Sequence, residues 1–355
     1  MQRLTIEGPD RDVQVTTLPR IGIRLHGGMA PRRCIDLARA AEAHGFASIW
    51  FAENPFNRGV LPAAAACAVA TERLRIGIGV FNPFNRHPTL IAMEIGALDE
   101  LAQGRAALGI GAGIGASVER MGLSYDRPIG ALKDTFSIVR NLLKGETVTH
   151  HGRVFSIHDV KLDFQPPRPD MPLFMAARGN QSLRLCGEIA DGLMLSNCCN
   201  PGFTAYAVKI VHDAARAAGR TIPTEIIQYV PCAVRPDRDE AYGVAKSALG
   251  EMLPGFWSLG QRFASAKAAL VRNSGIGEMD FAVAVQRLQG GEPATQVLDD
   301  RFVEAFAIAG TAEQCLQQSA VYAKAGVGEI VLTFAGTNQE DDIADLGKLF
   351  CDAAE

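Results

Sequence analysis

The sequence predicts an α/β protein, a single (β/α)8 TIM barrel with insertions spanning residues 1–355, and three observations carry that prediction. Short β-branched runs alternate with longer stretches of helical period, several helical stretches stop on a glycine just before the next run, and no run reads as a polar edge strand. A closed ring of eight parallel strands, each followed by a helix, accommodates all three. An open doubly wound sheet would leave two edges to protect.

The first strand is read at 21–25 (IGIRL), followed by a helix from about Pro31 to His44. Strands follow at 46–52, 74–80 and 105–111, separated by helices near Ala63 to Thr71 and Pro88 to Ala102. The rhythm continues through a helix near Ile129 to Leu143, a strand at 172–176, a helix near Gln181 to Ala190, and a strand at 192–196. A helix near Phe203 to Ala218, strands at 225–234 and 328–334, and a closing helix from about Asp341 to Ala353 complete the set. Gly45, Gly104 and Gly326 stand where a left-handed residue ends a helix. Three stretches fall outside the repeat. Residues 1–19 read as an N-terminal arm, 144–170 as an inserted hairpin with a proline-rich loop, and 236–310 as a helical insertion expected to cover the barrel mouth as a lid carrying Phe256 and Trp257.

With 48% apolar and 21% charged residues, the chain has material for a sizeable core. Its net charge of -4, with no basic run of five or more, excludes an electrostatic footprint for nucleic acid or anionic membrane. The longest apolar run, near Leu61 to Ala70, is too short to span a bilayer, and the first residues lack the apolar core of a signal peptide. A cytoplasmic protein acting on a small molecule is the expectation. The eight cysteines include no C-x-x-C pair, which argues against a zinc site and a disulfide framework. Cys198 and Cys199 stand together after a strand end, where a reactive role competes with the commoner buried, inert thiol.

In such a barrel the chemistry belongs to the C-terminal strand ends. These are His26, Glu53-Asn54, Val80-Phe81-Asn82, Gly111-Ala112-Gly113, Ala177-Arg178-Gly179-Asn180, Ser196-Asn197, Arg235 and Thr333. One histidine and one carboxylate cannot make a metal cluster, and no lysine stands ready for a Schiff base. A cofactor is therefore expected to carry the chemistry while the protein supplies shape and hydrogen bonds. Gly79, Gly111 and Gly113 would let a flat ring approach the backbone, although relief of crowding at the mouth explains them equally. Their spacing is not the G-x-G-x-x-G of a dinucleotide fold. His26 is the histidine expected to touch substrate, and His87, before Pro88, reads as a structural anchor. Glu53 could bond a cofactor ring or cap a loop; Asn54 and Asn82, each before a proline, could read a ring edge or make ordinary turns. Asn180 is expected to cap a helix whose first amides, with Gly179 and Arg178, bind an anion.

Three strings, LARAAEAHGFASIWFAEN, TERLRIGIGVFNPFNRHPTLIAMEIGALDELAQGRAALGIGAG and MAARGNQSLRLCGEIADGLMLSN, together resemble the bacterial luciferase-like superfamily, and within it the deazaflavin-dependent methylenetetrahydromethanopterin reductases. The likeness covers about residues 20–230 and resumes at AIAGTAEQCLQQSAVYAKAGVGEIVLTF. It implies a barrel holding coenzyme F-420 or FMN over the strand ends, at Gly79, Val80, Asn82, Gly111, Gly113 and Asn197, with the phosphate near Ala177, Arg178, Gly179 and Asn180. It also implies a cis peptide between Gly79 and Val80, behind the ring. With F-420 a hydride would pass to a small organic substrate, with Glu53, Asn54 and His26 as the candidate catalytic residues. With FMN an oxygen-using monooxygenase would result, and a non-catalytic flavin-binding barrel is a third reading. The NPFNRHP string favours the deazaflavin. Related sugar-phosphate dehydrogenases carry Asp-His where this chain has Glu53-Asn54, and a glutamate where it has Ile114, which argues against that activity. A homodimer or higher homo-oligomer is the expected assembly.

Overall fold

The structure, a computed structural model, describes residues 2–5, 15–220 and 225–352. Alternation within the apolar runs decides which residues line the barrel. In β1 (Arg20–His26) the side chains of Ile21, Ile23 and Leu25 join the core beneath the helices, which leaves Gly22, Arg24 and His26 on the inner face. The same reading applies to β2 (Ser48–Ala52), β3 (Arg75–Phe81), β4 (Ala106–Ile110), β5 (Leu173–Ala176), β6 (Gly192–Leu195), β7 (Glu225–Val234) and β8 (Glu329–Phe334). Each strand pairs in parallel with the next, β8 pairs with β1, and the pairing of β6 with β7 lies between them, so the ring closes as expected.

The helices wrap the outside: α1 (Pro31–Ala43), α2 (Val60–Ala70), α3 (Pro88–Leu101), a short α4 (Gly115–Arg120), α5 (Pro128–Leu143), α6 (Asn180–Ile189) and α7 (Pro201–Ala217). Gly45, Gly104 and Gly326 adopt φ of 75°, 81° and 96°, the left-handed stops the sequence suggested. The inserted hairpin pairs Val148–His151 with Ser156–Val160, and in the N-terminal arm Gln2–Thr5 pairs with Val15–Leu18; both are antiparallel.

The 236–310 segment folds as α8 (Arg238–Arg262), α9 (Ala264–Val271), α10 (Glu278–Gln289), α11 (Ala294–Val297) and α12 (Asp300–Phe306). It then returns to the sheet as a short strand, Ile308–Gly310, beside the end of β7, which the sequence reading had not separated from the helical insertion. The segment has its own apolar core, in which Trp257 stacks on Phe281 at 5.5 Å and Phe302 and Phe306 close around them. Trp257 is thus committed to packing rather than to a lid, because burying its indole there satisfies the helices' shared apolar faces. Helices α13 (Ala312–Lys324) and α14 (Gln339–Asp352) finish the outer layer. Among the described residues no helix is long and apolar enough to cross a membrane.

Inside the barrel, large rings are seated against glycines. A Cβ on Gly77 would come within 2.2 Å of the Trp50 ring, and one on Gly192 within 2.2 Å of Phe174. At the base, buried Glu329 accepts from Trp50 Nε1 (3.0 Å) and the Ser48 hydroxyl, and pairs with Arg20 (3.2 Å) and Arg75 (3.5 Å). Removing that carboxylate strands two buried donors. Glu329→Ala is expected to cost about 3 kcal/mol of unfolding free energy in urea titration, and Glu225→Ala, at a partly exposed carboxylate, less than about 1 kcal/mol. Equal losses would mean that the buried bonds do not secure the base.

Candidate active site

The wall formed by β3, β4 and β5 at the mouth has few projecting side chains. The pairing of β3 with β4 shifts register between Gly79 and Phe81, and the Gly79–Val80 peptide is cis, as the resemblance implied. Val80 packs inward with Ala176 against the interior cluster, and a Cβ on Gly111 would meet both, at 2.9 Å and 3.2 Å. Beneath this wall the Tyr229 hydroxyl donates to the Gly79 carbonyl at 3.1 Å. Val80, Gly111 and Ala176 therefore present one low apolar surface.

Gly113 has φ of 75°, and the Asn82 amide fills the place its Cβ would take, with Nδ2 at 2.0 Å from it. Asn82 Oδ1 accepts from the Phe84 amide (2.9 Å), and Asn54 Oδ1 from the Phe56 amide (3.0 Å), so turn formation occupies both acceptors that were expected to read a ring edge. Asn54 is moreover exposed. His87 caps α3 through Nδ1, which accepts from the Thr89 amide at 3.3 Å, the anchoring role expected of it.

Glu53 is held by Arg86 at 2.9 Å, and Arg86 also binds Glu94 and lies 4.4 Å above the Phe81 ring. Burial raises the Glu53 pKa while the Arg86 charge works against that rise. Arg86 was missed as a site residue, although it stands in the NPFNRHP string. His26 is half-buried, and its Nδ1 accepts from the Gly28 amide (3.1 Å), so the neutral ring carries its proton on Nε2.

At the opposite side of the mouth, Arg178 donates through Nε to Ser196 Oγ (3.0 Å) and through Nη2 to the Asn197 carbonyl. Its Nη1 is buried without a partner, as is Asn197 Oδ1. The guanidinium rests 4.4 Å above the Phe256 ring, so of the two aromatics assigned to the insertion it is Phe256 that reaches the site. Ala177 is buried beside it. The cap of α6 is Gly179 rather than Asn180: Gly179 is extended (φ -82°, ψ 148°), and Asn180 is the first helical residue, its Oδ1 accepting from the Tyr206 hydroxyl at 3.1 Å. Gly179 brings no capping side chain to this helix start, which leaves its first amides without a side-chain cap, and the hydroxyls of Ser182 and Ser265 flank the glycine. Ser265, from α9, could not be placed from sequence because its partner is far away in the chain.

Cys198 and Cys199 lie buried beside this corner. Burial pushes the Cys198 thiol up to about 12 and raises that of Cys199, with Arg178 opposing both, so they are the inert pair of the two readings. Among the described residues no group of three or more His, Cys, Asp or Glu could hold a metal ion.

The His26 environment has a pH consequence. Burial, then the Arg24 charge, lowers its pKa below the ordinary 6.5. Just below pH 6.5 the unfolded chain binds more protons than the folded one, so stability rises with pH through that window and this contribution is lost as pH falls. The His26 NMR titration is expected to have its midpoint below 6.5, and His26→Gln to flatten the stability slope there. A midpoint at or above 6.5 would contradict the buried setting.

Comparison with known proteins places this architecture. Residues 12–329 match the family model of the luciferase-like monooxygenases. The 5,10-methylenetetrahydromethanopterin reductase of Methanolobus tindarius is 32% identical over 315 residues, which cover 88% of this chain and 93% of that protein. The F420-dependent glucose-6-phosphate dehydrogenase of Microbacterium testaceum is 26% identical over 332 residues, 90% of this chain and 92% of that protein. The solved coenzyme F420 dependent tetrahydromethanopterin reductase from Methanopyrus kandleri shares the fold with a TM-score of 0.84 at 24% identity, covering 96% of this chain and all of that one. The chain belongs to the luciferase-like monooxygenase family and is an oxidoreductase.

Proposed function

We propose that this protein passes a hydride between coenzyme F420 and a small organic substrate at the C-terminal mouth of the barrel. The observation that carries the reading is the pair of buried, unpartnered atoms, Arg178 Nη1 and Asn197 Oδ1, beside the open start of α6 and next to a flat apolar wall. A donor that lacks an acceptor and an acceptor that lacks a donor, both buried, are costly unless a ligand completes them. A phosphate-bearing tricyclic ring supplies both complements, so the residues present fit the cofactor.

Val80, Gly111 and Ala176 would support the ring, with Gly79 behind them. Arg178, Gly179 and the first amides of α6 at Asn180 would hold the phosphate, and Asn197 Oδ1 would accept from a ring N–H. When bound, reduced coenzyme F420 would supply a hydride from its ring carbon and a proton, which together would saturate the substrate's double bond. His26 Nε2, free of the Nδ1 contact to Gly28, would be available to the substrate as a neutral donor. Glu53 is held by Arg86 and serves to fix the loop rather than to deliver a proton. A polarised C=N or C=C bond suits a mouth so short of acids.

The relatives named for F420 support this choice of cofactor. Titration of the purified protein with F420 and with FMN is the direct measurement. Saturable F420 binding is expected, weakened about 10- to 100-fold in Arg178→Ala, which removes charge-assisted hydrogen bonds of about 1.5–3 kcal/mol. Preferential FMN binding with substrate-dependent oxygen uptake would replace this reading by the monooxygenase one. Cofactor binding with no reoxidation by any imine or activated alkene would leave a flavin-binding barrel.

A further inference from the structure

Arg24 is a charged side chain inside an apolar barrel with no counter-ion. It lies on the inner face of β1 between Gly22 and His26, in register with Trp50 on β2. Several other buried or half-buried arginines have carboxylates, Arg75 with Glu225 and Glu329, Arg86 with Glu53 and Glu94, Arg168 with Asp99, and Arg235 with Asp342, while Arg105 and Arg178 donate to hydroxyl and carbonyl oxygens. Among the described residues Arg24 has no ion pair and no hydrogen bond; its guanidinium carbon stands 5.5 Å from the centre of the Tyr229 ring, and its Nε is buried without a partner. The residue keeps partial exposure, which inside a closed barrel can come only through the mouth.

A second orphan lies next to it. Thr333 Oγ1 is also buried without a partner. Thr333 follows Leu332, which is in register with Ile23, so it sits beside Arg24 on the neighbouring strand and on the same inner face as Val331. A half-buried cation and a buried hydroxyl, both unpaired and on neighbouring strands of the same inner face, form half of an anion site. The wall formed by Val80, Gly111 and Ala176 carries no charge and cannot supply the other half.

We infer that Arg24, with the Thr333 hydroxyl, binds the carboxylate of an acidic substrate, and so fixes the substrate's double bond between itself and the flat wall. This rests on the proposed hydride transfer for its catalytic meaning, but the anion site itself does not depend on the cofactor. A single planar, singly charged carboxylate matches one guanidinium in a two-point contact, whereas a phosphate dianion would be left half neutralised. The substrate class is thus a small organic acid with a conjugated C=C or C=N bond.

Trp50 lies beside Arg24, and the chain has only two tryptophans, so Trp257→Phe leaves Trp50 as sole reporter. In that background, without cofactor, crotonate is expected to change the Trp50 fluorescence saturably, and methyl crotonate and inorganic phosphate to bind at least about tenfold more weakly. Arg24→Gln should lose the crotonate response by at least about tenfold, Arg24→Lys should keep part of it, and Arg24→Gln should melt no lower than its parent because it removes an unpaired, partly desolvated charge. F420 affinity should change less than about threefold in Arg24→Gln. Equal binding of acid and ester, retention of crotonate binding by Arg24→Gln, or loss of crotonate and F420 in parallel would overturn the inference. Tighter binding of phosphate would do so too. If the parent selects crotonate but does not bind F420, the cofactor reading fails and the acid site stands.

Discussion

The hydrogen bond from the Tyr229 hydroxyl to the Gly79 carbonyl is the constraint on which the mouth depends. Tyr229 starts on β7 and crosses the barrel interior to β3. A Cβ on Gly79 would lie 2.0 Å from that hydroxyl and 2.9 Å from Met194 Sδ, so only glycine leaves the tyrosine room to reach across. Immediately above, the register shift turns Val80 inward, and Gly111 must in turn be glycine to sit beside it. Burial raises the Tyr229 pKa well above its usual value, so the phenol stays a neutral donor throughout the working pH range. The face of the same ring carries Arg24. The flat wall and the unpaired cation are therefore both positioned by one side chain.

The barrel was legible because two periods were both strong. Runs such as IGIRL and RIGIGV alternate at period two, their helices follow at period 3.6, and glycines punctuate the joins. The strand-end rule then delivered His26, Glu53, Arg178 and Asn197 without further information. What escaped were residues whose meaning lies in distant contacts. Arg24 and Tyr229 sit within strands, where a sequence reading sees only a charge or a ring in an apolar run; that they meet inside the barrel depends on closure of the ring. A lone arginine flanked by Ile23 and Leu25, with no acidic residue nearby in the strand, was the signal available.

Local chemistry misled in two places for identifiable reasons. Asn180 has the better capping side chain, yet the extended backbone falls on Gly179, and the asparagine is drawn to Tyr206 instead. Trp257 suggested a lid because insertions in barrel loops commonly gate a site, but five helices outside the barrel need an apolar centre of their own, and the largest side chain available went there. Phe256, its neighbour in sequence, supports Arg178 because successive helical residues point in different directions.

Charge pairing at the strand ends differs from the acidic balance of the whole chain. The protein carries a net charge of -4, yet Glu53, the one carboxylate at the strand ends, is taken by Arg86, while Arg24 and one arm of Arg178 have no carboxylate partner. At the mouth these two unmatched cations weigh more than their share of the net charge, because exposed surface charges are screened and partly buried ones less so. They stand at different places around the ring, Arg24 on β1 and Arg178 just after β5, with the apolar wall of β3 to β5 leading up to the second. A ligand pair with one anionic group at each cation and an uncharged reacting face between them is the arrangement that leaves neither charge stranded.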